Sequence, residues 1–318
     1  MKKLSKALIL CLLLSAVLGL AACQRKTTEQ NTRTEVPDLI SQQPQTSVTA
    51  YFKSLDGDML VPLSYGINSS RDTVWIALEK LLAGPPDSFV DAVVPQGVKM
   101  QDLYFANGTV NISLTGDIEL KAENINLDAL FATVNLELMS QDNTTASLLI
   151  YYNDEQLLDE PYYAGTINDF GGGENGAYVY YEDSQAMYLV PVCLPIYASD
   201  YDSDSAFFGA LFAAWAADAP EGSNLYSALA SDVKLLSADF SDGTLTLDFS
   251  SELLAIGGMS QEHMLTESLL ATLSCYEQVQ ELQILVEGEV VSFLPHGTDI
   301  STPLSVDHDF YIPNKVNQ

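Results

Sequence analysis

Asn107-Gly108-Thr109-Val110-Asn111-Ile112-Ser113-Leu114 decides the fold, because a second version of it, Asp242-Gly243-Thr244-Leu245-Thr246-Leu247-Asp248-Phe249, follows 135 residues later. Asn-Gly or Asp-Gly between alternating apolar residues is the strongest short-range hairpin signal, since both turn positions need a positive φ. Working outward, Val98-Lys99 before the first stretch is echoed by Val233-Lys234 before the second. Tyr51-Phe52 and Leu60-Val61-Pro62 return as Tyr180-Tyr181 and Leu189-Val190-Pro191, and Leu149-Ile150-Tyr151-Tyr152 as Gln283-Ile284-Leu285-Val286. The offsets are 129, 135 and 134 residues, which one modest insertion in the second copy explains. Two long copies are too few for a solenoid, so the repeat predicts two domains of one fold.

Each copy reads the same way. In the first, residues 48–53 and 58–65 are predicted strands around Asp56-Gly57. Asp72 N-caps a helix carrying Val74, Leu78, Leu81 and Leu82, and Gly84-Pro85-Pro86 stops it. Residues 98–105 and 109–114 form the hairpin; Leu127, Leu130, Phe131, Val134 and Leu138 mark a second helix, and 146–152 a further strand. In the second, Phe208, Leu211, Phe212 and Trp215 give the first helix, residues 235–249 the hairpin, Leu265, Leu269 and Leu273 the second helix, and 282–286 the next strand. The order β-β-α-β-β-α-β predicts an α+β fold, two copies of a small, mostly antiparallel sheet packed by two helices. The expected organisation is 1–22 signal peptide, 23–47 flexible tether, 48–160 first domain, 161–176 linker, 177–305 second domain and 306–318 C-terminal tail.

Ala77-Leu78-Glu79-Lys80-Leu81-Leu82-Ala83-Gly84-Pro85, then Val94-Pro95-Gln96-Gly97-Val98-Lys99, then Asn107 to Leu114 resemble the GerM domain, a family named for a spore germination protein that is itself a lipoprotein with two such domains. The resemblance is good in the first copy. It is partial in the second, where Asp218-Ala219-Pro220 replaces Gly84-Pro85 and the Val-Pro-x-Gly stretch is lost. It implies a non-catalytic extracytoplasmic module similar to the ring-building domains of secretion-type assemblies. In spore formers, it further implies a link to sporulation, germination and the channel between mother cell and forespore.

The chain's beginning agrees with export. Lys2, Lys3 and Lys6 precede an apolar run from Ala7 to Leu20, shorter than the roughly 20 residues that span a bilayer core. Leu20-Ala21-Ala22-Cys23 resembles the bacterial lipobox, which implies that Cys23 becomes the mature N-terminus and carries lipid on its thiol and amine. The competing reading is an ordinary signal peptide with an incidental cysteine. Gln24 to Ser47 is polar and without apolar periodicity, a coil averaging roughly 25–30 Å end to end.

Against 43 acids the chain has 13 Lys and Arg, for a formal charge of −30; hydrophobic residues make up 47% and mean hydropathy is +0.09. It is a folded, acidic protein rather than a disordered acidic tail. Nucleic acid is excluded as a partner, because phosphate binding needs clustered cations, and so is electrostatic docking on anionic lipid. Removing the signal takes three lysines and no acid, which moves the charge to −33.

No catalytic, cofactor or metal residues are predicted. Gly171-x-Gly173-x-x-Gly176 has the letters of a dinucleotide fingerprint, but a strand rather than a helix follows it at 177–181. Asp200-x-Asp202-x-Asp204 has Ser205 and Leu211 where an EF-hand needs Gly and an acid, so it reads as a loop whose Asp204 or Ser205 caps a helix near Ala206, with weak calcium binding as the alternative. His263 sits at a helix start, while His296 and His308 lie in polar turns, with Asp307-His308-Asp309 an exposed tail. Cys193 and Cys275 are either one disulfide or two small buried residues. Tyr151, Tyr152, Tyr162, Tyr163, Tyr178, Tyr180, Tyr181 and Tyr188 cluster at strand ends and the domain boundary, where strand packing competes with stacking on glycan sugars.

These readings combine into a lipid-anchored protein on the extracytoplasmic face of the cell membrane. It is expected to be a non-catalytic assembly component with protein partners or self-assembly through sheet edges or helix faces. The alternative is a cell-wall glycan- or solute-binding lipoprotein using the tyrosine-rich interdomain region, in contact with peptidoglycan.

Overall fold

Both hairpin turns form where Asn-Gly and Asp-Gly place them, with φ of 54° and 76° at Asn107 and Gly108 and of 51° and 84° at Asp242 and Gly243. This is a computed structural model, and it describes residues 46–56, 58–67, 72–139, 147–306, 308 and 314–316. The first copy contributes strands β1 (Thr46–Ser54) and β2 (Leu60–Ile67), helix α1 (Thr73–Leu82), the short β3 (Val90–Asp91), β4 (Lys99–Ala106), β5 (Thr109–Thr115), helix α2 (Leu127–Met139), β6 (Ser147–Tyr152) and β7 (Glu155–Gln156). The second contributes β8 (Ala177–Glu182), β9 (Leu189–Leu194), helix α3 (Asp204–Trp215), β10 (Leu235–Ser241), β11 (Thr244–Phe249), helix α4 (Met259–Ser274), β12 (Glu281–Val286) and β13 (Leu304–Ser305); β14 (Lys315–Val316) follows.

The registers reproduce the repeat residue for residue. Tyr51 faces Pro62 in the antiparallel β1–β2 pair as Tyr180 faces Pro191 in β8–β9. Val110 faces Leu148 in the parallel β5–β6 pair as Leu245 faces Leu282 in β11–β12. Even the bulges correspond, between Met100 and Asp102 in β4 and between Leu235 and Ser237 in β10. The parallel pairs follow from their connections: α2 joins β5 to β6 and α4 joins β11 to β12, and a helix-length crossover returns the chain in the same direction.

The fold is α+β with mostly antiparallel sheets, as expected, but each copy divides its strands between two sheets instead of one. β14-β2-β1-β3 and β4-β5-β6-β7 form in the first copy, β8-β9 and β10-β11-β12-β13 in the second. The division has a physical cause. On the side of β1 away from β2, the N–H of Thr49 donates to Glu137 Oε1 at 2.9 Å and that of Tyr51 to Thr133 Oγ1 at 3.0 Å, both on α2. On β8, the N–H of Tyr180 donates to Thr272 Oγ1 at 3.1 Å, while Ser268 Oγ and Tyr276 Oη donate to the carbonyls of Tyr180 and Tyr178. Side chains of the second helix, and in the second copy also of Tyr276 just past its end, thus close a strand edge that another strand would otherwise take.

Helix ends follow local chemistry. Asp72 caps α1 by accepting from the N–H of Trp75, and Gly84 leaves it with φ 91°. The cap of α3 is Ser203, which accepts from the N–H of Ala206; Asp204 is the first helical residue, and Ser205 Oγ instead accepts from the N–H of Phe240 and donates to its carbonyl. The cap therefore stands one residue before Asp204 and two before Ser205, the residues expected to serve. The cores differ in kind: α1 buries Val74, Ala77, Leu78 and Leu81, whereas α3 buries Phe207, Phe208, Leu211, Phe212 and Trp215.

Candidate functional site

The repeated Leu-Val-Pro of β2 and β9 is where the copies meet. Pro62 and Pro191 sit opposite tyrosines in pairs whose N–H and C=O groups point outward, so the missing proline N–H breaks no ladder bond. The outward edges of β2 and β9 do not pair directly. Two asparagines bridge them.

Asn168 accepts from the N–H of Leu60 at 2.8 Å and donates through Nδ2 to the carbonyls of Leu60 (2.8 Å) and Pro191 (2.7 Å). Asn314 accepts from the N–H of Leu189 at 2.7 Å and donates to the carbonyls of Leu189 (2.7 Å) and Pro62 (2.8 Å). Exchanging the copies turns one set into the other. The main chain obeys the same exchange: the N–H of Cys193 donates to the carbonyl of Asn168, and that of Ser64 to the carbonyl of Asn314. Both asparagines hold a positive φ, 47° and 57°, which Asn tolerates better than most residues. The segment after each copy therefore lies along the other copy's strand, Asp169 beside Cys193 and Lys315–Val316 beside Ser64–Tyr65, both parallel. The relation is an approximate twofold within one chain.

A cleft of about 800 Å³ opens at this junction. Equivalent residues from both copies line it: Tyr51 with Tyr180, and Leu136 with Cys275. Phe131 of α2 forms another wall, with the Tyr163 ring edge-on at 5.1 Å and 62% exposed. Tyr178, Pro191, residues 164–167 and Glu174 are among the other residues that line it. Burial raises the phenols of Tyr51 and Tyr178 well above the ordinary tyrosine range, so both are neutral donors at physiological pH.

Of the tyrosines singled out in the sequence, Tyr163, Tyr178 and Tyr180 come together here, joined by Tyr51. The others pack elsewhere. Tyr152 donates to the carbonyl of Ile118, Tyr162 to Asp128, Tyr181 to the carbonyl of Ala214 and Tyr188 to Asp87. The glycine-rich stretch belongs to packing. A Cβ on Gly172 would stand 2.6 Å from Cys193 Sγ and from the carbonyl of Leu194, and one on Gly176 equally close to Cys193 Sγ. Residues 168–176, expected to be a loose boundary, are laid tightly on β9.

Cys193 and Cys275 are both free thiols. Cys193 is the expected buried residue, its thiol pushed up to about 11 by burial and then by the Asp169 charge. Cys275 is exposed at the cleft instead of buried. His308 is no exposed tail residue: its ring nitrogens lie 3.0 and 2.6 Å from the carbonyls of Ser274 and Val279, at the end of α4. Asp307 and Asp309 lie outside the described residues, as does Cys23. His296 Nε2 meets the carbonyl of Ile256 at 2.9 Å, and His263 is exposed on α4. Asp200 ends the 3₁₀ turn Ala198–Asp200. Among the described residues, no three His, Cys, Asp or Glu side chains are grouped to hold a metal ion, and no helix is long and apolar enough to cross a membrane.

A second feature recurs in both copies. β4 and β10 are the outer strands of their sheets. On β4, Tyr104 and Phe105 are 46% and 55% exposed, and on β10 Leu236 is 48% exposed.

Residues 178–292 match the sequence model of the Germane family, described as sporulation and spore germination. The match falls in the second copy, whose motifs are the more altered. No curated protein matches the chain. Among solved structures, the tandem GerMN domains of the sporulation protein GerM from Bacillus subtilis share the fold, with a TM-score of 0.53 and 20% identity over 86% of this chain and 100% of that one. The first GerMN domain of that protein alone is 22% identical over 41% of this chain and 96% of its own, TM-score 0.33. A putative lipoprotein from Clostridium perfringens is 24% identical over 37% and 74%, TM-score 0.31. The chain thus shares the fold of the tandem GerMN domains, and residues 178–292 match a family described by a developmental process.

Proposed function

We propose that this protein is a lipid-anchored, extracytoplasmic, non-catalytic assembly component of a sporulation or germination envelope complex. The observation that carries the proposal is the outer strand repeated in both copies. β4 and β10 are outer strands that carry exposed apolar side chains, and Ser205 of α3 closes the β10 edge at Phe240, so the surface that another chain would cover is their exposed apolar face. The twofold clasp supports it, because it makes the two outer strands parts of one body with a fixed geometry. The Germane-type sequence supplies the cellular process. Cys23 supplies the anchor, confining the protein to the membrane surface despite a charge that opposes anionic lipid.

Two measurements test this reading. A photo-crosslinking residue in place of Tyr104 should capture protein partners or a second copy in sporulating cells, and absence of any protein adduct there and at Leu236 overturns the assembly role. Cys23→Ala should move the protein from the membrane fraction to the soluble one; full retention in membranes overturns the anchor.

A further inference from the structure

The cleft at the junction of the copies holds two features that belong together. Its walls carry the ring faces or edges of Tyr51, Phe131, Tyr163, Tyr178 and Tyr180, and the one charged residue among them is Glu174. Beside these rings runs a stretch of backbone without hydrogen bonds: among the described residues, no hydrogen bond involves the main chain of Tyr163, Ala164 or Gly165, and a turn follows at Ile167–Asn168. Ala164 is nonetheless buried, and a Cβ on Gly165 would meet nothing within 4 Å. Peptide groups in such a wall are normally paired, so an open run of them beside a cleft is a template for another peptide's main chain.

Charge selects the kind of peptide. Residues 177–305 contain 19 acids and one cation, Lys234, and the cleft itself has no lysine or arginine to receive an anion. The negative faces of tyrosine rings attract cations, most strongly guanidinium and ammonium groups held partly out of water. We propose that the cleft is the docking site for an extended, basic segment of a protein partner. The segment's main chain pairs along residues 163–165, and an arginine or lysine side chain lies against the tyrosine rings with Glu174 beside it. The inference rests on the assembly role and names the chemistry of the partner.

The test uses the lipid-free chain and three probes in calorimetric titrations: acetyl-Gly-Arg-Ala-Arg-Gly-amide, the same peptide with Glu for Arg, and chitotetraose. The arginine peptide should bind, more weakly as salt rises, and the other two should not. Tyr163→Ala removes an exposed ring and should weaken binding about 3- to 30-fold. Glu174→Gln should weaken it about 2- to 5-fold. The inference is overturned if no probe binds, if the glutamate peptide or the sugar binds as well as the arginine peptide, or if Tyr163→Ala leaves affinity unchanged. In cells, crosslinks from position 104 with none from position 163 would remove the cleft as a docking site and leave the assembly role standing. Crosslinks from position 163 with none from positions 104 and 236 would keep the cleft as a docking site and remove the outer strands as the assembly surface.

Discussion

The two copies solve one structural problem with different side chains. In each, a helix must close the open edge of the first strand. The first copy does so with Thr133 and a buried carboxylate, Glu137; the second uses Thr272, Ser268 and the phenol of Tyr276, all neutral. Thr133 and Thr272 occupy the same place in the repeat, and each accepts from the tyrosine that faces a proline. What the fold requires is a hydrogen-bonding group at that height on the helix. Which group serves is left to the rest of the core. In the second copy that core is aromatic, and Trp215 Nε1 donates to Ser268 Oγ at 2.7 Å, so the edge closure is tied to α3 as well.

That difference is sharpest at α3 against α1. Trp215→Ala removes a fully buried ring and the donor to Ser268 Oγ, and should cost about 3–5 kcal/mol. Leu81→Ala, at the matching place in the first copy, should cost about 2–5 kcal/mol through its cavity alone. Urea unfolding followed by both tryptophan fluorescence and circular dichroism reads both. Because the clasp joins the copies, either variant should shift a single transition common to both probes. Two separate transitions in Trp215→Ala would show that the copies fold independently.

The clasp is the next test. Asn168→Ala and Asn314→Ala each remove three hydrogen bonds and leave strand N–H and C=O groups unsatisfied, at a cost of about 2–3 kcal/mol. The twofold predicts nearly equal losses. If Asn314→Ala costs less than half of what Asn168→Ala costs, the two halves of the clasp are not equivalent.

How much of this was legible beforehand depends on the range of the interaction that fixes it. The hairpins and the helices were readable because each is set by neighbours along the chain: Asn107-Gly108 fixes its own turn, and the apolar spacing of Leu127, Leu130, Phe131, Val134 and Leu138 marks α2. The clasp was not readable. Asn168 and Asn314 stand 146 residues apart, outside the 129 to 135 of the recognisable repeat, and their partners lie on strands of both copies. Of the cleft, the tyrosine cluster was visible, but not which rings turn into it, since alternation along β8 sends Tyr178 and Tyr180 one way and Tyr181 the other. The division into two sheets was hidden for a related reason. Glu137 is buried on α2 because the Thr49 N–H stands opposite it, a partner 88 residues away that no local pattern announces.

Two buried carboxylates give the smallest effect and the most discriminating one. Loss of hydration raises the Glu137 carboxyl above its ordinary range, against the pull of the Thr49 N–H and the Thr73 hydroxyl. Glu262 on α4 also loses hydration, but the N–H groups of Thr298 at 2.8 Å and His296 at 2.6 Å outweigh that loss, and its carboxyl is held below the ordinary range. The signs then oppose. A raised folded value means that stability is fully present below the unfolded value and is lost as pH rises through the folded one. A lowered value means that stability is present above the unfolded value and is lost as pH falls through the folded one. Going from neutral to about pH 4 should therefore reduce the hydrogen-exchange protection of the Thr298 amide while that of Thr49 holds or rises. Glu262→Gln should cost about 1–2 kcal/mol at neutral pH, because an amide oxygen replaces a carboxylate between two donors, and Glu137→Gln should cost less. Equal costs for the two, or loss of protection at Thr49 in acid, would mean that hydrogen bonding and not desolvation governs Glu137, and the chemical distinction between the copies would vanish at that edge.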